Sequence, residues 1–248
     1  MCYRLAGFAL APILIAQAWH VRRVTPRLAE PSGARTGAAG SGPPLRLLIA
    51  GDSSAAGVGV ASQRDALSGQ LGPALEALFA LYWGLEARTG FTVKNLLDHL
   101  KSIRPEPFDV ALLCVGVNDV TAHTAERNWL ARHAALIELL SDRFGVGHVI
   151  FSGLPPMHVF PALPQPLRWY LGARAARLDA ALDELVRRDA RCEMLRVAFP
   201  LQAAFMAADG FHPGAAAYRL WGEAAAAAIR RRVAGVAVSG VGGANVGG

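Results

Sequence analysis

Short apolar runs alternate with longer stretches of helical spacing along this chain. The run Leu45-Arg46-Leu47-Leu48-Ile49-Ala50 breaks abruptly into the small and polar Gly51-Asp52-Ser53-Ser54. A buried parallel strand looks like this where it delivers a loop to the carboxyl edge of a sheet. Leu67, Leu71, Leu75 and Leu78 then recur at helical spacing and predict a helix over 65–78. Residues 79–85 read as a second strand leading to Gly90, and 92–103 as a helix. The clearest buried strand, 109–115, ends in Gly116-Val117-Asn118-Asp119 and is followed by a helix over 125–143. A fourth strand, 148–151, runs into a loop containing Pro155 and Pro156. A long helix over 167–188 carries Leu178, Leu182 and Leu185 on one face. A short strand over 192–197, the segment Asp209-Gly210-Phe211-His212-Pro213 and a last helix over 214–232 complete the pattern.

Strands and helices in strict alternation, with short connections, predict an α/β fold. Its core is a five-stranded parallel sheet with helices on both faces and right-handed crossovers. This domain is expected over 45–232. Residues 30–44 are rich in Pro, Gly, Ser and Ala and read as a linker. Residues 233–248 are uncharged and Gly/Val/Ala-rich, and read as a frayed or disordered tail.

Residues 1–29 form a hydrophobic N-terminal segment. An uncharged run over 5–19 lies between Arg4 and Arg22-Arg23. As helix it would reach about 22 Å, short of the roughly 30 Å hydrocarbon core of a bilayer. Three readings stay open. One is a signal peptide with Ala16-Gln17-Ala18 as the cleavage site. The others are an uncleaved membrane anchor with Trp19 and the arginines at the interface, and an amphipathic or buried helix. Membrane association through residues 5–19, or export to a periplasmic location, is expected over a cytoplasmic one.

Composition narrows the function classes. Hydrophobic residues make up 53% and charged residues 18%, which provides a large core and excludes wholesale disorder. The net charge is +6, but four arginines against one glutamate in the first thirty residues leave only +3 on the remainder. With no basic stripe interleaved with aromatics, nucleic acid is not an expected partner. Cys2, Cys114 and Cys192 are odd in number and widely spaced, which gives neither a disulfide framework nor a zinc pattern.

Candidate chemistry collects where the strands should end. Serine needs a base within hydrogen-bond reach to become a nucleophile, and the base needs an orienting acid. Ser53 is the candidate nucleophile. His212 is the candidate base, because imidazole titrates near neutrality. Asp209, three residues earlier, can reach the other ring nitrogen. The Ser53 N–H, the Gly90 N–H and the Asn118 side-chain amide can act as donors to an oxyanion. Asp52 is expected to shape the turn, with Asp209 as the acid. Met157 and Phe160, beyond the two prolines, are candidates to line an acyl pocket, against the reading of an ordinary loop.

Gly51-Asp52-Ser53, Gly90, Gly116-Val117-Asn118-Asp119 and Asp209-Gly210-Phe211-His212-Pro213 together resemble the four blocks of the SGNH/GDSL hydrolases, in the family's order. The resemblance spans 45–232; Ser54 stands where the name-giving motif has Leu. It implies a flavodoxin-like three-layer α/β/α sandwich. It also implies a Ser53/His212/Asp209 triad and an oxyanion hole from Ser53, Gly90 and Asn118, with no metal and no cofactor. The activity implied is that of a serine esterase or lipase-type hydrolase. It would cleave carboxylic esters, thioesters among them, of small-molecule, lipid or carbohydrate substrates. The alternatives are an acyl- or acetyltransferase on the same scaffold and a non-catalytic ligand-binding member. An α/β-hydrolase fits less well, since Ala55 stands where G-x-S-x-G needs glycine. Gly57-x-Gly59 lacks the third glycine of a dinucleotide fingerprint.

Overall fold

The computed structural model describes residues 7–197 and 205–241, with side chains described as far as residue 233. Six strands form one sheet: β1 (Thr36–Ala39), β2 (Pro44–Gly51), β3 (Ala80–Ala87), β4 (Val110–Cys114), β5 (His148–Ser152) and β6 (Cys192–Leu195). Their order is β1-β3-β2-β4-β5-β6. β2 to β6 are mutually parallel. Their order is the doubly wound one, with a switch point between β2 and β4. The register sets Gly51 opposite both Ala87 and Cys114, so three strands end level there.

Eight α-helices are described: α1 (Ala11–Val24), α2 (Ser53–Ala56), α3 (Leu67–Glu76), α4 (Val93–Ser102), α5 (Val117–Thr121), α6 (Glu126–Phe144), α7 (Leu167–Val186) and α8 (Ala215–Val241). Strand alternation divides the core in two. Leu48, Ala50, Ala111 and Leu113 face a layer built from α4, α6 and α7. Leu47, Ile49, Val110 and Leu112 face α3 and α8, where Tyr218 and Ile229 are fully buried. This is the expected α/β/α sandwich with one strand more than expected.

The extra strand lies within 30–44, the segment expected as a linker. β1 pairs antiparallel with the outer edge of β3. The small residues that read as a linker are what let this segment close on the sheet. A Cβ at Gly40 would stand 2.1 Å from the Phe79 carbonyl oxygen, and one at Gly42 would stand 2.2 Å from that of Leu78. Gly40 also adopts φ +80, a left-handed conformation costly for other residues.

At the N-terminus the structure shows a helix packed on the domain, one of the three readings left open, and at the C-terminus it differs from expectation. The N-terminal segment forms α1, which packs on α7: Leu14 is buried in the core, and Gln17 hydrogen-bonds to Gln165 and Leu167. Residues 5 and 6 of the apolar run lie outside the described residues. Among the described residues no helix is long and apolar enough to cross a membrane. α8 continues past 232 to Val241, so the expected frayed tail is helical that far; 242–248 lie outside the described residues. Smaller differences are a 3-10 turn over Gln63–Asp65 before α3 and the short helices α2 and α5 where loops were expected.

Candidate active site

β2 hands the chain to the site through Gly51. A Cβ there would stand 1.9 Å from the Cys114 carbonyl oxygen, so only glycine allows β2 and β4 to approach this closely. Asp52 N–H then donates to that carbonyl at 2.9 Å. Asp52 caps α2: its Oδ1 accepts from the Ser54 N–H at 3.0 Å and the Ser54 hydroxyl at 2.8 Å. Its Oδ2 accepts from the Gly116 N–H at 3.3 Å, across the switch point. Burial raises the Asp52 pKa against these hydrogen bonds, which lower it. Asp52 thus ties the β2 and β4 loops together and fixes Ser53 as the first residue of α2.

The segment before α8 approaches from the other side of the switch point. It folds back on itself through Ala207 N–H to the His212 carbonyl at 2.8 Å and Gly214 N–H to the Phe205 carbonyl at 2.8 Å. Asp209 Oδ1 accepts from the backbone N–H groups of Phe211 at 3.0 Å and His212 at 2.9 Å. Its Oδ2 meets His212 Nδ1 at 2.5 Å, and His212 Nε2 meets Ser53 Oγ at 3.0 Å. Burial pushes the Asp209 carboxyl up, but the His212 imidazole and the two N–H donors outweigh it and hold the pKa below the usual range. An ionised carboxylate only accepts, so Nδ1 carries the proton and Nε2 is free to accept the Ser53 hydroxyl proton.

Asn118 stands in α5, directly beyond β4. One N–H of its amide donates to the Phe91 carbonyl at 2.9 Å, which leaves the other N–H of the group as a donor. Phe91 adjoins Gly90, so this bond links the two candidate oxyanion loops. Gly90 is exposed, with φ +85. Asp119, fully buried, accepts from the Val93 N–H at 2.8 Å and the Thr124 hydroxyl at 2.9 Å, which anchors α5 to the start of α4. The structure therefore brings Ser53, His212 and Asp209 into one hydrogen-bonded line and ties Asn118 to the Gly90 loop.

A cleft of about 340 Å³ opens beside Ser53 and His212. Its wall is mostly apolar, with Leu154, Phe160, Leu195, Phe211 and Trp221 among its lining residues and Arg196 also on it. Of the two candidates beyond the prolines, Phe160 lines it and Met157 does not, being fully buried in the core. Leu195, Phe211 and Trp221 come from separate elements, and no spacing in the sequence marks them as neighbours. Arg196 pairs with Asp179 at 2.6 Å and Asp183 at 3.4 Å.

A doubly wound sheet that delivers Ser, Asn and Asp-x-x-His from its carboxyl edge defines the SGNH class of α/β/α proteins. The chain belongs to the GDSL-like lipase/acylhydrolase family, whose model matches residues 49–220. It is accordingly a hydrolase acting on ester bonds. It is similar to the GDSL-like esterase Rv1075c of Mycobacterium tuberculosis, with 30% identity over 242 residues, 88% of this chain and 76% of that protein. Among solved structures it shares its fold with a carbohydrate esterase family 2 enzyme of Corynascus thermopiles (TM-score 0.62, 16% identity, 78% of this chain and 68% of that one). It also shares its fold with the psychrotrophic esterase EstA of Pseudoalteromonas (TM-score 0.58, 14% identity, 76% and 98%).

Proposed function

We propose that the chain cleaves carboxylic esters through an acyl-enzyme on Ser53. The observation that carries this reading is the unbroken line from Asp209 Oδ2 through the His212 ring to Ser53 Oγ. Ser53 Oγ attacks the ester carbonyl carbon, and its proton passes to His212 Nε2. The imidazolium is stabilised by the Asp209 carboxylate. The tetrahedral oxyanion takes hydrogen bonds from the Ser53 N–H, the Gly90 N–H and the free N–H of Asn118. Collapse expels the alcohol, which leaves with the proton from His212. Water repeats the sequence: it gives its proton to Nε2, attacks the acyl carbon and releases the acid, and Ser53 regains its proton. A thiol leaving group follows the same steps.

The apolar cleft beside Ser53 supports the acyl side of this reading, since it offers hydrocarbon contact rather than hydrogen bonds to the group retained on serine. Its size suits small-molecule and lipid esters, and the esterase names of the relatives agree with an ester substrate, acylated carbohydrates included. The test is covalent trapping. An alkyl p-nitrophenyl phosphonate should add its alkylphosphonyl group once per chain, and peptide mass spectrometry should find it on Ser53. Modification at another residue, with activity lost in step, would reject Ser53 as the nucleophile.

A further inference from the structure

α1 has two apolar faces, and the fold uses only one. The inner row, Leu10, Leu14 and Val21, turns toward the domain, with Leu14 6% exposed. The outer row of α1 is Pro12, Ile15 and Trp19, at spacings of three and four, which is one stripe of a helix, and Phe8, in the helical turn just before α1, adds a further exposed ring. Phe8 is 82%, Ile15 68% and Trp19 63% exposed. Surfaces of soluble domains rarely carry such a continuous apolar row without a use for it.

Charge says what suits this row. No acidic residue occurs before Glu30, while Arg22, Arg23 and Arg27 follow the stripe directly. The Arg23 guanidinium lies over the Trp19 ring, 5.3 Å from its centroid. Apolar stripe, tryptophan and adjoining arginines form the pattern of a helix lying in a bilayer interface, where the stems bury and the cations meet anionic headgroups. With 14 residues, α1 is about 21 Å long, too short to span a core of roughly 30 Å. Its inner face is already committed to α7, which leaves the in-plane arrangement. A second copy of the chain is a poorer occupant. A symmetric pairing would bring the same basic row near its own copy, and one exposed helical stripe falls short of the roughly 800 Å² per partner of a stable interface.

Position links this surface to the site. The Gln17 side chain donates to the Gln165 carbonyl at 2.6 Å and accepts from the Leu167 N–H at 3.0 Å. Gln165 lies at the end of the 153–166 loop, which supplies Leu154, Pro155 and Phe160 to the cleft, and Leu167 opens α7. The middle of α1 therefore lies against the N-terminal end of α7, on the edge of the sheet that carries the cleft, and Arg22 and Arg23 follow within two turns.

We propose that the Ile15–Trp19 face of α1, with Phe8 just before it and Arg22 and Arg23 after it, seats the protein peripherally on an anionic lipid bilayer with the cleft on the membrane-proximal edge. Docking itself does not depend on the chemistry; that it presents lipid esters to the cleft rests on the ester-hydrolase reading.

The test uses the full chain with vesicles of phosphatidylcholine alone or mixed with phosphatidylglycerol. Co-sedimentation should occur with the mixed vesicles, weaken as salt is raised, and be accompanied by quenching of tryptophan fluorescence by brominated lipid. The triple variant Phe8→Ser, Ile15→Ser, Trp19→Ser and the separate double variant Arg22→Glu, Arg23→Glu should each lose about tenfold or more in partitioning. Both should hydrolyse a water-soluble p-nitrophenyl ester at the wild-type rate, which also shows that they fold. Equal binding by wild type and both variants, or no binding to mixed vesicles, would overturn the proposal. So would a wild-type dimer in sedimentation velocity that the triple variant disperses without any vesicle binding. A wild type that binds vesicles yet leaves soluble esters intact would sink the esterase reading and leave the docking standing.

Discussion

The two carboxylates near Ser53 and His212 differ in what they hold. Among the described residues the Asp52 carboxylate accepts from Ser54 and Gly116, whereas Asp209 accepts from the His212 ring. Asp52→Asn would put an amide N–H₂ where backbone donors already point. It should therefore cost about 1–3 kcal/mol of stability with a modest loss of activity. Asp209→Asn removes the group that fixes the Nδ1–H tautomer and should lower kcat about 10³–10⁴-fold with little change in melting temperature. Thermal melts and ester kinetics on the same two proteins check both, and a reversed order would make Asp52 the acid. His133 is a separate case. It is fully buried against Trp129 and Phe151, and burial lowers its pKa to about 4. Its Nδ1–H donates to the Trp129 carbonyl at 3.0 Å, and among the described residues its Nε2 meets no hydrogen-bond partner. Since the unfolded chain protonates at about 6.5, it binds more protons than the folded one between that value and about 4. The contribution is complete above pH 6.5 and is lost as pH falls toward 4, by about 3 kcal/mol in all. The difference between denaturant titrations of wild type and His133→Leu should follow this window; parallel curves would mean that His133 does not titrate in the folded state as described.

Among the elements, β1 and the chain before it do more than close the sheet edge. Glu30 Oε1 accepts from both the Thr89 N–H at 2.7 Å and the Thr89 hydroxyl at 2.8 Å, next to Gly90. Arg35 pairs with Glu30 and donates to the Ala87 carbonyl. The segment that reads as a linker thus holds the loop that carries a candidate oxyanion donor. Glu30→Ala should lower kcat by up to about 10²-fold with KM nearly unchanged, because it loosens a donor rather than a binding contact. An unchanged kcat in steady-state ester kinetics would show that the loop holds its position without Glu30. The buried strands β2 and β4 were legible because parallel strands covered on both faces read as continuous apolar runs. β1 was not, because an edge strand of Thr, Gly and Ala carries neither an apolar run nor an alternation. α1 was legible only as an apolar segment, since both of its faces are apolar and periodicity alone does not say which of them packs.

For the whole molecule, the site follows from topology. Strand order β3-β2-β4 puts the switch point where Ser53 leaves β2 and Asn118 leaves β4, and the segment before α8 brings Asp209 and His212 across to it. The triad candidates were readable in the sequence because each is a polar residue at the end of a recognisable element. The cleft was not, because its wall is assembled from segments as far apart as Leu154 and Trp221. The most direct measurement is steady-state hydrolysis of a p-nitrophenyl ester by the full-length wild type and its Ser53→Ala variant, with circular dichroism to confirm equal folding. If Ser53 is the nucleophile, the variant should be slower by at least about 10³-fold. Hydrolysis by the folded variant at the wild-type rate would contradict the acyl-enzyme mechanism.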